Sequence, residues 1–226
     1  DTEVLLYQAK QTNKTILFEG AQGMSLDPDH GMYPHSTSSN NVAGYFEVGS
    51  GLGLNKETRR IGIVKAYVSR VGNSPFITEL TDQLGASIRE KGQEYGTTTG
   101  RPRRIGWLDL VQLRQAVRTS GLSEIALTKA DILAGLLEIK ICTGYLINNQ
   151  EITEMPAGLS ELRNTQPIYK TLPGWEEFNV DNIDHYEQMP INLRRYIEFI
   201  ETSINCPINI ISIGPQRQQT VIRTIV

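Results

Sequence analysis

Amphipathic helices alternate with short apolar strands along this chain, and this alternation restricts its fold more than any other feature. The stretch WLDLVQLRQAVRTSG (107–121) has the apolar spacing of a helix face and ends at Gly121. An apolar strand, EIALT (124–128), follows it, and the helix INLRRYIEFIETSIN (191–205) precedes the strand INIISIG (208–214). This order predicts an α/β fold with a central, mostly parallel sheet flanked by helices.

The same patterns predict the remaining elements. Helices are expected at 3–12 and 82–92, a buried strand at TILFEG (15–20), a strand at 60–72, a hairpin at 138–153 turning at Asn148-Asn149, and an extended segment at 166–175. The stretches 21–55 and 93–106 have no clean period, and long irregular stretches in compact proteins are usually functional. We expect residues 1–226 to form a single α/β region.

Composition excludes several classes of protein. The 226 residues carry a net charge of −3, whereas a general nucleic-acid binder normally has a basic excess. No apolar run approaches the roughly 20 residues that cross a bilayer. Cys142 lies in an apolar run and is predicted to be a buried thiol. We therefore expect a cytoplasmic protein with neither a nucleic-acid nor a membrane partner.

Polar residues follow three predicted strands at their carboxyl ends, where open α/β sheets bind ligands. TILFEG leads into AQGMSLDPDHGMYPHSTSSN, EIALT into KAD, and INIIS into IGPQR. In the second, Thr128-Lys129-Ala130-Asp131, one carboxylate can accept both the N1–H and N2–H donors of guanine while the lysine stem lies along the ring. The alternative is that Asp131 only caps the short helix DILAGL.

Three arginines, Arg101, Arg103 and Arg104, lie within four positions in TTTGRPRR (97–104). Such a cluster can be a solvated basic face. However, guanidinium groups match carboxylates and phosphates in a bidentate way, and the preceding threonine hydroxyls and amides can hold a second carboxylate. Because Pro102 stiffens the segment, the pattern favours a small dicarboxylate or a phosphorylated nucleotide as the ligand.

Two further patterns are weaker. Asp27, Asp29 and His30 suggest a metal site, but their spacing fits no calcium loop, and a polar turn held by Pro28 and Gly31 is the favoured interpretation. GSGLGLNK (49–56) is rich in glycine but lacks the Gly-Lys-Ser/Thr of a phosphate loop, so it is at best a flexible segment near a ligand.

Taken together, FEGAQG, LDPDHGMYPHSTSSN, KAYVSRVGNSPFITEL, EYGTTTGRPRRIGWLDL, LTKADIL and ISIGPQR resemble the adenylosuccinate synthetase family. These ligases join IMP to L-aspartate at the expense of GTP. The motifs cover nearly the whole chain in the family's order. The resemblance implies a P-loop-NTPase-like synthetase fold that is incomplete in residues 1–226, which would form the C-terminal part of a synthetase.

The resemblance also implies roles for individual residues. The implied IMP-binding residues are Gln22, Thr37, Val71 and Arg101; the aspartate-binding residues are Thr97, Thr98, Thr99, Gly100, Arg101, Pro102 and Arg103; the GTP-binding residues are Arg103, Lys129, Ala130, Asp131, Ser212, Ile213 and Gly214. One departure is Pro102, because the family usually has four consecutive arginines here. With Arg101 and Arg103 retained, we expect the site to stand, with a stiffer loop.

Another departure is a segment that these residues lack. The family's G-D-E-G-K-G-K run, with its Mg²⁺ ligands, the aspartate that acts as base on IMP N1 and a following histidine that donates a proton, has no counterpart in residues 1–226. His30 and His35 belong to a different motif. We therefore expect the catalytic residues and metal ligands upstream, an inactive isolated chain, and a homodimeric whole protein that uses GTP and Mg²⁺.

Three alternatives remain open. Related phage-type ligases use dGMP in place of IMP, and a substrate panel distinguishes the two. A noncatalytic nucleotide-binding module would bind GTP or IMP without turnover. A nucleic-acid binder would show strong, salt-dependent binding to DNA.

Overall fold

The computed structural model describes residues 1–53 and 58–223. The α-helices are α1 (Thr2–Gln11), α2 (Gly44–Ser50), α3 (Gln83–Lys91), α4 (Leu110–Ser120), α5 (Leu159–Arg163) and α6 (Ile191–Ile204). The strands are β1 (Ile61–Lys65), β2 (Val68–Arg70), β3 (Arg104–Gly106), β4 (Leu108–Asp109), β5 (Glu124–Thr128), β6 (Glu138–Ile147), β7 (Gln150–Ile152), β8 (Gln166–Pro173), β9 (Ile208–Ser212) and β10 (Thr220–Ile222).

The chain forms two compact units. The smaller contains Asp1–Arg60 and Ala116–Leu122, and the larger contains Ile61–Gln115 and Ser123–Val226. The expectation of one synthetase region over residues 1–226 remains a prediction. None of the helices in residues 1–53 and 58–223 combines the length and the hydrophobicity needed to cross a bilayer.

The larger unit is built on a four-stranded sheet in the order β1-β5-β9-β10. The pairs β1–β5 and β5–β9 are parallel, whereas β10 is antiparallel to β9. The predicted α/β class with a mostly parallel sheet is therefore confirmed. Two smaller sheets are also present. In one, β2 pairs with β3, and in the other, β6 pairs with β4, β7 and β8; of these pairs, only the β6–β7 hairpin was predicted.

Local sequence explains the best-predicted helices. Asp82 begins α3 by accepting a hydrogen bond from the Gly85 amide, as an N-cap residue does. In α6 the buried residues recur at helical spacing, so one apolar face packs on the core; they are Leu193, Tyr196, Ile197, Ile200 and Ile204. Asn205 ends α6 in the left-handed conformation, which asparagine tolerates well.

Two predicted strands differ from the structure. Residues 15–20 form no strand, and Leu17 is 87% exposed. An apolar run becomes a strand only beside a hydrogen-bonding partner, and within the described residues this run has none. The predicted strand at 60–72 is two strands, β1 and β2, which belong to different sheets because the chain turns at the buried pair Ala66-Tyr67.

Other boundaries shift less. Helix α4 begins at Leu110, three residues later than predicted, because Leu108–Asp109 form β4 beside β6. The hairpin prediction is confirmed, since β6 and β7 pair through Ile147 and Gln150 around Asn148-Asn149. Cys142 is buried, as predicted.

Candidate functional site

The carboxyl ends of β1, β5 and β9 lie along one edge of the parallel sheet. Lys65 pairs in register with Thr128, and the next strand ends at Ser212. The structure thus confirms the predicted convergence of EIALT and INIIS, but TILFEG contributes no strand end. The third strand end is that of β1, where Lys65 was missed because residues 60–72 were interpreted as one strand.

The Thr128-Lys129-Ala130-Asp131 segment turns sharply as it leaves β5. Lys129 is in the left-handed conformation, with φ 59°, and a short 3-10 helix, Ala130–Leu133, follows. The Asp131 side chain lies inside this helix and does not cap it, so the capping alternative is wrong. Its carboxylate is half-buried and bonds to its own backbone amide. Burial raises the pKa of Asp131 above 3.8, as expected for a carboxylate that lacks full solvation or strong partners.

The Lys129 ammonium is held by the segment that follows α3. Its Nζ donates to the Gly92 carbonyl oxygen at 2.5 Å and lies 3.5 Å from the Glu94 carboxylate. Its side chain remains 36% exposed. The two ends of the side chain, the backbone and the ammonium, are therefore fixed, which favours a defined position of the stem for stacking against a flat ring.

The arginine segment forms the tip of an antiparallel hairpin. The backbone amide of Arg103 donates to the Glu94 carbonyl, and the Gly96 amide donates to the Arg101 carbonyl. Between these hydrogen bonds, Tyr95 and Pro102 form an antiparallel β-bridge. Residues 97–102 at the tip are exposed. Gly100, with φ 63°, closes the turn in a conformation that favours glycine.

The three arginines have different surroundings. Arg103 donates to the buried Glu94 carboxylate at 2.7 Å, and Arg104 forms a two-point ion pair with Glu79 at 2.5 and 2.7 Å. Among the residues that the structure describes, none pairs with the Arg101 guanidinium. A purely solvated basic face therefore does not describe the cluster, since two members are structurally anchored and only Arg101 is presented without a partner.

Four further predicted positions, Ser212 to Gly214 and Val71, also lie in the larger unit. The Ser212 hydroxyl donates to the Gly214 carbonyl oxygen at 3.0 Å, while Ile213 between them is buried. A Cβ atom at Gly214 would lie 2.3 Å from the Gln219 side chain, so the tight turn admits only glycine without rearrangement. Val71 follows β2 and is 59% exposed, so its backbone and side chain are accessible.

Gln22 and Thr37 belong to the smaller unit. Gln22 has a positive φ of 68°, and the Thr37 amide donates to the Leu26 carbonyl oxygen at 2.8 Å. The loop between them is organised by the fully buried Asp27, whose carboxylate accepts from four backbone amides, those of Asp29, His30, Asn41 and Val42.

The Asp27 arrangement supports the polar-turn interpretation of the Asp27, Asp29 and His30 pattern. Burial alone would raise the pKa of Asp27, but the backbone hydrogen bonds outweigh it and lower the pKa below 3.8. In the described ranges, no group of three or more His, Cys, Asp or Glu is placed to hold a metal ion. Residues 54–56 of the glycine-rich GSGLGLNK stretch lie outside the described residues.

Glu94 is the residue of this site that sequence reasoning missed. It is fully buried, and it contacts Lys65, Tyr67, Arg103 and Lys129. Its segment, GQEYG (92–96), is polar and follows α3, so nothing local predicts burial. The available signal was indirect: three cations at the ends of separate elements need a nearby anion.

Comparison with known proteins gives a consistent result. The adenylosuccinate synthetase family model matches residues 1–221. The adenylosuccinate synthetase of Caldanaerobacter subterraneus subsp. tengcongensis is 51% identical over 222 residues, which cover 98% of this chain and 52% of that protein. The chain therefore spans about half the length of the relatives that it matches.

Solved structures agree with this. The fully ligated adenylosuccinate synthetase of Plasmodium falciparum has a TM-score of 0.94 and 35% identity, covering 99% of this chain and 54% of that one. The cyanophage S-2L succinoaminodeoxyadenylate synthetase, bound to dGMP and dATP, has a TM-score of 0.57 and 20% identity, covering 98% of this chain and 50% of that one. At that identity, the second likeness concerns the fold alone.

Proposed function

This chain belongs to the adenylosuccinate synthetase family, and we propose that the whole protein joins IMP to L-aspartate at the expense of GTP. In that reaction the 6-oxygen of IMP is phosphorylated by GTP, which makes it a good leaving group, and the aspartate amine then displaces it. The products are adenylosuccinate, GDP and phosphate. Because three anionic ligands must be held together, positioning and charge neutralisation contribute much of the catalysis.

One observation carries this proposal: Lys129 and Arg103 meet at the same buried carboxylate. Glu94 lies 3.5 Å from the Lys129 ammonium and 2.7 Å from the Arg103 guanidinium. The segment suited to guanine and the arginine hairpin are therefore neighbours in the larger unit. This supports one nucleotide being held by both, with Asp131 on the guanine edge and Ser212 to Gly214 as a further wall.

The remaining roles follow from the family. Arg101 would bind the aspartate carboxylate and the IMP ribose, and its unpaired guanidinium is suited to an anionic ligand. The backbone of Val71 would lie by the IMP ribose, and the hydroxyls and amides of Thr97 to Thr99 would hold the second aspartate carboxylate. Gln22 and Thr37 would contact the purine edge and the phosphate of IMP.

Several parts of the proposal concern the protein beyond these residues. We assign no Mg²⁺ ligand, catalytic base or proton donor to residues 1–226; the family implies that all three lie upstream. A homodimer is likewise proposed from the family. A cytoplasmic location is proposed because Cys142 is a buried thiol, which suits a reducing compartment.

The test is a substrate panel on the full-length protein. Adenylosuccinate and GDP should form only when IMP, L-aspartate, GTP and Mg²⁺ are all present. Replacing IMP with dGMP tests the phage-type alternative. GTP or IMP binding without turnover by the full-length protein would contradict the enzyme assignment and favour a noncatalytic nucleotide-binding module.

A further inference from the structure

Glu94 is a buried acid of the candidate site whose carboxylate is surrounded by cationic side chains. One carboxylate oxygen accepts from Lys65 Nζ at 2.6 Å and from the Tyr67 hydroxyl at 2.8 Å, and the other accepts from Arg103 at 2.7 Å. Lys129 Nζ lies 3.5 Å away. The side chain is completely buried. A buried carboxylate needs such partners, because desolvation of the charge is costly without them.

Neutralisation alone does not explain three cations around a single carboxylate. One cation balances the charge, and each further cation at this distance repels the first. All three nevertheless keep part of their side chains exposed, 27% for Lys65, 29% for Arg103 and 36% for Lys129. Each cation is thus held by Glu94 on one side while another part faces solvent. This arrangement orients the cations toward something outside the cluster.

The backbone of the segment that carries Glu94 also forms hydrogen bonds with Lys129 and Arg103. The Gly92 carbonyl accepts from Lys129 Nζ at 2.5 Å, and the Glu94 carbonyl accepts from the Arg103 amide at 2.9 Å. The segment itself has little room to move, since a Cβ atom at Gly92 would lie 2.4 Å from the Tyr67 hydroxyl. Residues 92–94 therefore fix Lys129 and Arg103 relative to one another.

We propose that Glu94 is a positioning residue for the guanine nucleotide, holding the Lys129 ammonium and the Arg103 guanidinium so that both meet GTP. The inference rests on the proposed function, because it takes GTP as the ligand that these two side chains contact. Loss of the Glu94 charge then weakens GTP binding far more than IMP binding. None of the side chains that contact the Glu94 carboxylate is among the proposed IMP contacts, which are Gln22, Thr37, Val71 and Arg101.

Glu94 has the same charge at every pH used for an assay, which simplifies the test. Burial alone would raise its pKa, but hydrogen bonds from Lys65, Tyr67 and Arg103 outweigh that effect and lower the pKa to about 2. Glu94 is therefore ionised at any pH used for an assay. Glu94→Gln removes the charge and keeps the shape of the side chain.

Glu79→Gln is the matched control. Glu79 pairs with Arg104, the next arginine of the same hairpin, through a two-point contact at 2.5 and 2.7 Å. Neither Glu79 nor Arg104 has been assigned to a ligand. If the hairpin only needs its arginines neutralised, the two variants should behave alike. If Glu94 positions nucleotide contacts, they should differ.

The experiment uses the full-length protein and measures KM for each substrate together with direct GTP binding by titration calorimetry. For Glu94→Gln we expect KM and Kd for GTP to rise about tenfold or more, because Lys129 and Arg103 each lose the charge-assisted contact that holds them in place. KM for IMP should stay within about twofold of wild type. For Glu79→Gln, KM for GTP should stay within about threefold of wild type.

Each other outcome has a definite meaning. An unchanged GTP affinity in Glu94→Gln, an equal loss in Glu79→Gln, or an equal rise of all KM values would overturn the inference while leaving the ligase assignment intact. If the wild-type protein neither turns over nor binds GTP, the proposed function and the inference both fail. Should Glu94→Gln not fold, Glu94→Asp keeps the charge but shortens its reach, and an unchanged KM for GTP in that variant would also overturn the inference.

Discussion

Under the proposed function, Asp131 selects the purine that the segment Thr128–Asp131 accepts. Its carboxylate offers only acceptors, which match the two donors of guanine, N1–H and N2–H. Asp131→Asn offers one acceptor and one donor, so it matches xanthine, which has an oxygen in place of the amino group. We expect KM for GTP to rise about 30-fold or more and XTP to become a substrate. Initial rates of the full-length protein with each nucleoside triphosphate, GTP or XTP, measure this change of preference.

Asp131→Ala is the control for that switch. Alanine removes both acceptors without providing a donor, so GTP binding should weaken with no gain for XTP. The guanine-reading role would be rejected if Asp131→Asn kept the wild-type preference for GTP over XTP.

Asp27 acts on the smaller unit through its loop. Because its pKa in the folded protein is lowered, its charge stabilises the fold fully above about pH 5, and that contribution is lost as pH falls through values below 3.8. Asp27→Asn places an amide donor against backbone donors and should cost about 2 kcal/mol of unfolding free energy at pH 7. Urea unfolding of the full-length protein from pH 7 to pH 3 should show a constant deficit down to pH 5 that shrinks below it.

Asp29→Asn provides the comparison. Asp29 is exposed and accepts a side-chain hydrogen bond from Asn40 at 2.6 Å, so its substitution should change stability by no more than about 0.5 kcal/mol. An equal cost for both variants, or a deficit for Asp27→Asn that is independent of pH, would remove Asp27 as the organiser of the loop.

The same residues show what sequence reasoning could reach. Asp131 could be proposed from the sequence because its chemistry is complete within four consecutive residues. Glu94 and Lys65 were not found, because their roles depend on a strand end and a helix exit that only the folded chain brings together. The difference between Arg101, which is unpaired, and Arg103 and Arg104, which are anchored, has the same origin. The partners Glu94 and Glu79 stand at no sequence spacing from these arginines that would predict the ion pairs.

At the level of elements, signals contained in one short segment predicted well. Gly121 was predicted to end the helix before it, and this end is confirmed, since α4 stops at Ser120 and Gly121 has a positive φ of 56°. The strand prediction for TILFEG was wrong because a strand needs a hydrogen-bonding partner, which the sequence of the segment itself does not specify. The prediction of one strand at 60–72 was wrong because the change of sheet at Ala66-Tyr67 depends on the strands that pair with each half, β5 with β1 and β3 with β2.

The β6–β7 hairpin offers a prediction at this level. Asn148 and Asn149 both have positive φ, 49° and 63°, in a two-residue loop, the conformation in which Asn-Gly is strongly preferred. Asn149→Gly should therefore raise the unfolding free energy by about 0.5 kcal/mol, whereas Asn149→Val should lower it by about 1–2 kcal/mol. Thermal unfolding of the full-length variants measures both, and stabilisation by valine would contradict the turn geometry.

At the scale of the whole molecule, the proposed function gives residues 1–226 binding groups but not a complete reaction centre. The larger unit carries the guanine-reading segment and the arginine hairpin, and the smaller carries Gln22 and Thr37. The proposal places the base, the proton donor and the Mg²⁺ ligands outside these residues. Positioning alone cannot transfer a phosphoryl group here, because the developing charge on the 6-oxygen and the phosphate still needs neutralisation.

We therefore expect residues 1–226 alone to form no adenylosuccinate, while the full-length protein does. Retained binding would show that this absence comes from missing catalytic groups and not from misfolding, so GTP binding and far-ultraviolet circular dichroism accompany the activity assay. Asp131→Ala in the same short chain should abolish the residual GTP binding, since it removes the base-reading contact. Measurable product from residues 1–226 would mean that a base and a phosphate-binding group exist among residues to which no such role is assigned, and it would overturn the proposed division of labour.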